Sequence, residues 1–334
     1  MKVLVTGGAG FVGRAIVEML VRQGDHVGAY QRGLYPDLES KGIRCFRGDL
    51  MDENSLQRAI AGCETVFHTA AKVSVWGKYS EFYRTNVIGT KHVIDCCRRS
   101  GVAKLVFTSS PSVVFNGVDA SGIDNKAPYP SRYLSPYPAT KALAERLVLA
   151  ANSRELATIA LRPHLIWGPG DTHIVPQLLA RARAGRLWLV GDGKNVIDST
   201  YIDNAAAAHL LAAKRLNPAA PCAGRAYFVT NGEPLPIADL LMRILTAAAL
   251  TPKIPSISPR VAYVIGGGLE FVYRFLRLTK EPPITRFAVR ELATSHFFDI
   301  SATKRDLGYN PLISIDEGIT RLRQACTGQL PARG

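Results

Sequence analysis

The chain has 334 residues, 47% apolar and 20% charged, with 41 Lys and Arg against 27 Asp and Glu for a formal net charge of +14. A mean hydropathy of +0.05 excludes a disordered chain, and the length allows one large domain or two lobes without a stapling metal or disulfide. No run reaches the roughly 18 apolar residues of a membrane span, and the basic residues are dispersed, which argues against nucleic acid as a partner.

The predicted elements begin with Met1–Thr6, a strand that leads into Gly7-Gly8-Ala9-Gly10-Phe11-Val12-Gly13 and then helical spacing through Ile16, Val17, Leu20 and Val21. Strand-like runs at His26–Tyr30, Ile43–Phe46, Thr65–His68, Lys104–Thr108 and Thr158–Leu161 alternate with helical patterns at Ser55–Ala61, Glu81–Arg99 and Tyr137–Ala151. This alternation predicts an α/β fold, a doubly wound parallel sheet of Rossmann type with helices on both faces. Beyond Pro163 the pattern loosens, with helices expected at Ile174–Ala184, Asp203–Leu216, Ile237–Ala249 and Ile315–Ala325. The expected division is a nucleotide-binding domain over 1–165, a smaller and mostly helical substrate lobe over 166–327 interleaved with it, and a tail over 328–334. None of the six cysteines forms a CxxC pair or a zinc-like spacing with His, so no metal is expected. Free thiols suit a reducing compartment, and no signal-peptide pattern follows Met1; the expected location is cytoplasmic.

Gly7, Gly10 and Gly13 directly follow a strand and precede a helix. The first allows the tight turn, the second lets the backbone approach a pyrophosphate, and the third lets helix and strand pack closely. A pyrophosphate would then lie over the N–H groups of the helix start. At the end of the second predicted strand stands Tyr30-Gln31-Arg32-Gly33, without an acid for a ribose 2′-hydroxyl. Arg32 can pair with a 2′-phosphate, so the sequence favours NADP(H) over NAD(H).

Tyr137 and Lys141 lie four apart, on one face of a predicted helix. An ammonium beside a phenol favours the phenolate, so Lys141 is expected to lower the Tyr137 pKa and fit it for proton transfer to or from an alcohol. Lys141 can also hold the nicotinamide ribose hydroxyls. Ser110, in Thr108-Ser109-Ser110-Pro111-Ser112, follows a predicted strand at the edge where ligands bind in open α/β sheets. Its hydroxyl can stabilise charge forming on a carbonyl oxygen.

TGGAGFVG at the start, NVIGT at 86–90, TSSPSV at 108–113, YPATK at 137–141 and LRPHLIWGPGD at 161–171 together resemble the extended short-chain dehydrogenases/reductases, in their 3β-hydroxysteroid dehydrogenase-type branch. The resemblance implies an NAD(P)-dependent oxidoreductase with Ser110, Tyr137 and Lys141 as catalytic residues and Asn86 in support. It places Gly7, Gly10, Phe11, Val12 and Gly13 around the pyrophosphate, and Asp49 and Leu50 beside the adenine. Ala70, Ala71 and Lys72 would line the middle of the cofactor, with Pro163 and Ile166 near the nicotinamide. A homodimer, and association with other enzymes of its pathway, are further implications.

Finer likeness is to two groups. Segments 32–36, 70–77, 191–209 and 231–241 resemble the bacterial reductases of 2-alkyl-3-oxoalkanoates in long-chain olefin biosynthesis. Segment 112–124 resembles the sterol-4α-carboxylate 3-dehydrogenases. Both imply a bulky hydrophobic substrate carrying a carboxylate, for which Lys72, Arg132, His164 and His173 are candidate partners. A non-catalytic cofactor-binding scaffold and a nucleotide-sugar epimerase or dehydratase remain alternatives on the same fold. The stretch Val261–Leu278, interrupted by Gly266-Gly267-Gly268, is expected to form a wall of an apolar pocket or, with its flanking Arg and Lys, a weak contact with a membrane surface.

Overall fold

Seven parallel strands form the central sheet of the computed structural model, which describes residues 1–328. They are β1 (Lys2–Thr6), β2 (His26–Gln31), β3 (Arg44–Arg47), β4 (Thr65–His68), β5 (Lys104–Thr108), β6 (Ala157–Pro163) and β7 (Arg225–Val229). Their order is β7-β6-β5-β4-β1-β2-β3. The order reverses between β1 and β4, which opens a crevice at their carboxyl ends. Of the expected tail 328–334, residues 329–334 lie outside the described residues.

Helices cover both faces, as the near-continuous apolar strands require. Helix α1 (Phe11–Arg22) buries Ile16, Val17 and Leu20 in one core, together with Ile202, Ala206 and Ala208 of a later helix over Ile202–Arg215. Helices α2 (Glu53–Ile60), α3 (Gly89–Arg99) and α4 (Pro136–Ala150) close the other face with Leu56, Ile60, Val93, Ile94, Ala144 and Val148. The start of α2 is fixed by Asp52, whose carboxylate accepts the Ser55 N–H at 3.0 Å.

Three departures from the sequence expectations have physical causes. The predicted helix over 81–99 is split: an α-helical turn over Tyr79–Phe82, a π-helix over Tyr83–Ile88, then α3. The π-helix carries the buried Asn86, and such bulges often occur at functional sites. Strand β7 comes from the C-terminal half and pairs with β6 along its full length. Third, α5 (Pro259–Phe275) runs unbroken through Gly266, Gly267 and Gly268. A Cβ on Gly266 would stand 3.1 Å from the Thr285 carbonyl carbon. Gly266 therefore admits a neighbouring segment, at the N-terminus of α6 (Arg286–Ala293), and the helix is not broken. Glu270 locks the contact, accepting the Arg286 N–H at 2.7 Å and its guanidinium at 2.8 and 2.9 Å.

A second, four-stranded sheet joins distant pieces in the order Leu235–Pro236, Val196–Ile197, His296–Phe298, Ala120–Ile123. It brings His296 and Phe298 close to Ser110, with Glu291 of α6 on the same wall.

Candidate active site

The glycine loop is built as its spacing requires. A Cβ on Gly13 would lie 2.1 Å from the Gly7 carbonyl oxygen, so Gly13 is the point where helix meets turn. Gly7 has φ +70° and packs on Ala70. Gly10 caps α1 without a side chain, leaving the first-turn N–H groups at Phe11, Val12 and Gly13 for a ligand. Beside this loop lies a groove of about 400 Å³ lined by Gly10, Phe11, Arg14, Tyr35, Gly170 and Thr172. Its shape and its bare N–H groups fit a dinucleotide pyrophosphate. Arg14, Tyr35, Gly170 and Thr172 were not foreseen; they meet here from separate segments, and Arg14 is ion-paired with Asp37.

The expected adenine residues lie past β3. Leu50 is buried against Gly89, and Asp49 accepts the Met51 N–H at 2.9 Å and the Tyr30 hydroxyl at 2.8 Å. Ala70 and Ala71 follow β4 beside the glycine loop. The Lys72 N–H donates to Asn86 Oδ1 at 2.7 Å, while Asn86 Nδ2 donates to Lys72 O at 3.2 Å and Thr140 Oγ1 at 3.1 Å. Asn86 thus joins the loop after β4 to α4. The Lys72 ammonium itself is committed to Glu81 at 2.7 Å. Pro163 ends β6, and Ile166 pairs with Thr200.

Ser110, Tyr137 and Lys141 converge at the carboxyl end of β5. Ser110 caps a 3₁₀ turn over Pro111–Val114, accepting the Ser112 N–H at 3.2 Å. Tyr137 opens α4, where Ser135 and Pro136 set the helix start. Burial pushes the Tyr137 phenol up to about 12, and a hydrogen bond with Ser110 opposes this. Lys141 Nζ donates to Thr108 O at 2.6 Å and lies 4.1 Å from the centre of the Phe107 ring. Burial brings Lys141 down to about 7, against the raising influence of Glu145. The expected lowering of the Tyr137 pKa by Lys141 is therefore corrected: the ammonium is engaged by a backbone carbonyl, and desolvation governs the phenol. A phenol that keeps its proton is suited to donating it.

Next to Ser110 lies a cavity of about 40 Å³, also lined by Ser112, Phe115, His164, Glu291 and His296. His164 Nδ1 donates to Asp198 Oδ1 at 2.8 Å. Of the four candidate carboxylate partners, only His164 lines this cavity. Arg132 and His173 are exposed, and Lys72 is paired elsewhere. Asp198, Glu291 and His296 escaped the sequence reading because no local pattern links them to residue 110. Residues 261–278 do not line the cavity; Val264, Phe271 and Phe275 of α5 are 73%, 71% and 76% exposed. The C-terminal end of that helix does reach the site's outer loop, where Trp76 meets Tyr273 edge-on at 6.2 Å and donates to Leu278 O at 3.3 Å.

The family model of the 3-beta hydroxysteroid dehydrogenase/isomerase family matches residues 4–256. The chain belongs to this family. It is an NAD(P)-dependent oxidoreductase of the short-chain dehydrogenase/reductase superfamily, acting on CH–OH or C=O groups. It is 49% identical to a 2-alkyl-3-oxoalkanoate reductase of Stenotrophomonas maltophilia, over 97% of this chain and 98% of that one. It is 36% identical to the mouse (Mus musculus) sterol-4-alpha-carboxylate 3-dehydrogenase, decarboxylating, over 97% of this chain and 90% of that one. Among solved structures, MoeE5 in complex with UDP-glucuronic acid and NAD superposes with a TM-score of 0.75 at 28% identity, covering 99% of this chain and all of that one. The Thermus thermophilus UDP-glucose 4-epimerase complex with NAD gives 0.75 at 27%, with the same coverage.

These solved relatives hold NAD, which overturns the expectation of NADP(H). The structure supplies a physical reason. The Arg32 side chain is exposed and makes no hydrogen bond or ion pair among the described residues; its carbonyl merely accepts from Arg47 Nε at 3.3 Å. A loosely held, solvated guanidinium is a weak basis for selecting a 2′-phosphate.

Proposed function

We propose that the protein reduces the ketone of a 2-alkyl-3-oxoalkanoate to the 2-alkyl-3-hydroxyalkanoate with NADH. The observation that carries this reading is the match to a reductase of that substrate class along almost the whole of both chains, at 49% identity, with Ser110, Tyr137 and Lys141 gathered in one site.

Bound nicotinamide dinucleotide supplies the hydride. Gly7, Gly10, Phe11, Val12 and Gly13 would hold its pyrophosphate, Asp49 and Leu50 would flank the adenine, and Ala70, Ala71, Lys72, Pro163 and Ile166 would line the rest of its path. Ser110 donates a hydrogen bond to the substrate oxygen as negative charge grows there. Tyr137 gives that oxygen its proton and regains one from solvent. Lys141, kept in place by the Thr108 carbonyl, would hold the ribose hydroxyls, and Asn86 positions the loop at Lys72. Tyr137→Phe is expected to abolish ketone reduction, read as NADH oxidation, while NADH binding read by nicotinamide fluorescence persists. Turnover retained in that variant overturns the assignment.

A second reading, oxidation of a sterol 4-carboxylate, has the 36% identity to the mouse enzyme in its favour. A panel of long-chain 2-alkyl-3-oxo acids with NADH against sterol carboxylates with NAD separates the two. The solved UDP-sugar enzymes share the fold; family membership favours the hydroxysteroid-type chemistry over epimerisation.

Among the described residues no helix is long and apolar enough to cross a membrane. The exposed stripe Val261, Val264, Ile265, Phe271 and Phe275, bordered by Arg260, Arg274, Arg277 and Lys280, fits shallow contact with an anionic lipid surface. It adjoins Trp76 at the site's outer loop, where a lipid-like substrate would enter. Family resemblance supports a homodimer associated with other enzymes of its pathway. The free thiols of Cys45, Cys63, Cys96, Cys97, Cys222 and Cys326 accord with the cytoplasm.

A further inference from the structure

We infer that His164, oriented by Asp198 and facing Glu291, forms a carboxylate subsite that places the acid group of the substrate beside Ser110. The inference rests on the keto-acid reading above and names the residues that would select for the acid.

The cavity is small. At about 40 Å³ it exceeds the roughly 10–15 Å³ that one water needs, and it suits an end group of a few heavy atoms rather than an alkyl chain. Ser110 forms part of its wall. In a 3-oxo acid the carboxyl carbon is two bonds from the ketone carbon. A carboxylate in this cavity therefore leaves the ketone oxygen within reach of Ser110 and Tyr137.

The polar groups of the wall centre on a histidine–aspartate pair that can share a proton with an acid. Asp198 is buried, and its two oxygens are both used: Oδ1 on His164 Nδ1 at 2.8 Å, Oδ2 on the Phe298 N–H at 2.9 Å. A carboxylate only accepts, so His164 Nδ1 carries the proton of that hydrogen bond. His164 Nε2 has no partner among the described residues; a carboxylate that enters with a proton would place that proton between its own oxygen and Nε2. The ring is clamped edge-on between His296 at 4.9 Å and Phe298 at 5.1 Å.

The backbone is equally fixed. The His164 N–H donates to Val229 O at 3.1 Å, and its carbonyl accepts the Thr200 hydroxyl at 2.7 Å. The next residue, Leu165, is held at φ +42°. A non-glycine residue persists in that left-handed region where its surroundings over-determine it, and such positions cluster at functional sites.

The carboxyl of Glu291 makes no hydrogen bond among the described residues, and burial raises it to about 7. Near neutrality it retains a proton that it can share with an incoming carboxylate. His296 Nε2 donates to the Glu291 carbonyl at 2.7 Å, which leaves Nδ1 buried and unpartnered on the same wall. Burial brings His296 down to about 4, so this nitrogen stays an acceptor and can take the proton of the Glu291 carboxyl or of a substrate acid. No group of three His, Cys, Asp or Glu among the described residues is arranged to hold a metal ion.

The test compares a 2-alkyl-3-oxo acid with its methyl ester, using NADH and the full chain. Wild type is expected to favour the acid by at least about tenfold in kcat/KM, the scale of one charge-assisted hydrogen bond. His164→Gln and Glu291→Gln are expected to collapse that acid-to-ester ratio, mainly through the KM of the acid. NADH fluorescence reports whether each variant remains folded, and calorimetry with the 3-hydroxy acid and its ester reads the same preference as binding. An acid preference that survives in His164→Gln, or equal handling of acid and ester by wild type, overturns the subsite and leaves the reductase reading standing. Selective binding of the hydroxy acid without turnover of any ketone supports the subsite and overturns the reductase reading. Neither binding nor turnover overturns both.

Discussion

Lys141 and Glu145 lie one turn apart on α4, and both are almost completely buried. Glu145 accepts Arg162 at 2.6 and 3.0 Å and the Tyr129 hydroxyl at 2.6 Å, while its charge also favours the protonated form of Lys141. Removing one partner from a buried pair strands the other charge, which costs about 3–5 kcal/mol. Glu145→Gln is therefore expected to lower stability by about 3 kcal/mol in urea unfolding; a loss under about 1 kcal/mol would mean that Arg162 finds another acceptor. Glu291 gives a pH dependence of known sign. Its pKa rises from about 4.5 in the unfolded chain to about 7 in the folded one. The stability linked to its proton is fully present below about pH 4.5 and is lost as pH rises through 7. Wild type should thus lose stability relative to Glu291→Gln across that window, by about 3 kcal/mol, as read by thermal unfolding. A stability difference that is flat with pH would show that the group is ionised throughout.

At the scale of elements, the local packing around Gly266 makes the clearest prediction. Gly266→Val forces a branched side chain against the Thr285 backbone, where even a Cβ meets the carbonyl carbon at 3.1 Å. Such overpacking costs about 1–3 kcal/mol, and urea unfolding against Gly268→Ala, an open position, separates it from helix propensity. The same glycines show where sequence reading stopped. Gly7, Gly10 and Gly13 were legible because strand, turn and helix follow within a few residues, so their conformational role is local. Gly266 to Gly268 suggest a break because the segment that needs the bareness of Gly266 is distant in sequence; tertiary packing overrides propensity here. Ser110, Tyr137 and Lys141 were legible for the same local reason, each standing at a strand end or helix start. Asp198, Glu291 and His296 were not, because the small sheet and α6, which bring them together, are assembled from segments far apart in the chain. Arg32 was read too strongly: a charge at the right place in sequence is a specificity element only when the fold holds it.

For the molecule as a whole, the proposed lipid contact draws on both the +14 charge and the exposed face of α5. Contact with lipid would bury Val264, Phe271 and Phe275 while the bordering basic residues meet phosphate. Cosedimentation with vesicles containing phosphatidylglycerol is expected for wild type. It should fall severalfold for the triple variant Val264→Ser, Phe271→Ser, Phe275→Ser, and with salt. Equal sedimentation of the two proteins would remove the lipid contact.

Strand β7 ties the sheet to a late part of the chain. Synthesis on the ribosome delivers β1 to β6 well before β7 emerges, at about 5–20 residues per second. Throughout that delay β6, with every residue destined for burial, presents an unpaired edge of the kind that recruits foreign strands. The nascent chain is thus committed to a waiting period whose length is written into its topology. A product terminated at residue 165 would remain in that state, and is expected to partition into the insoluble fraction on expression while the full chain does not.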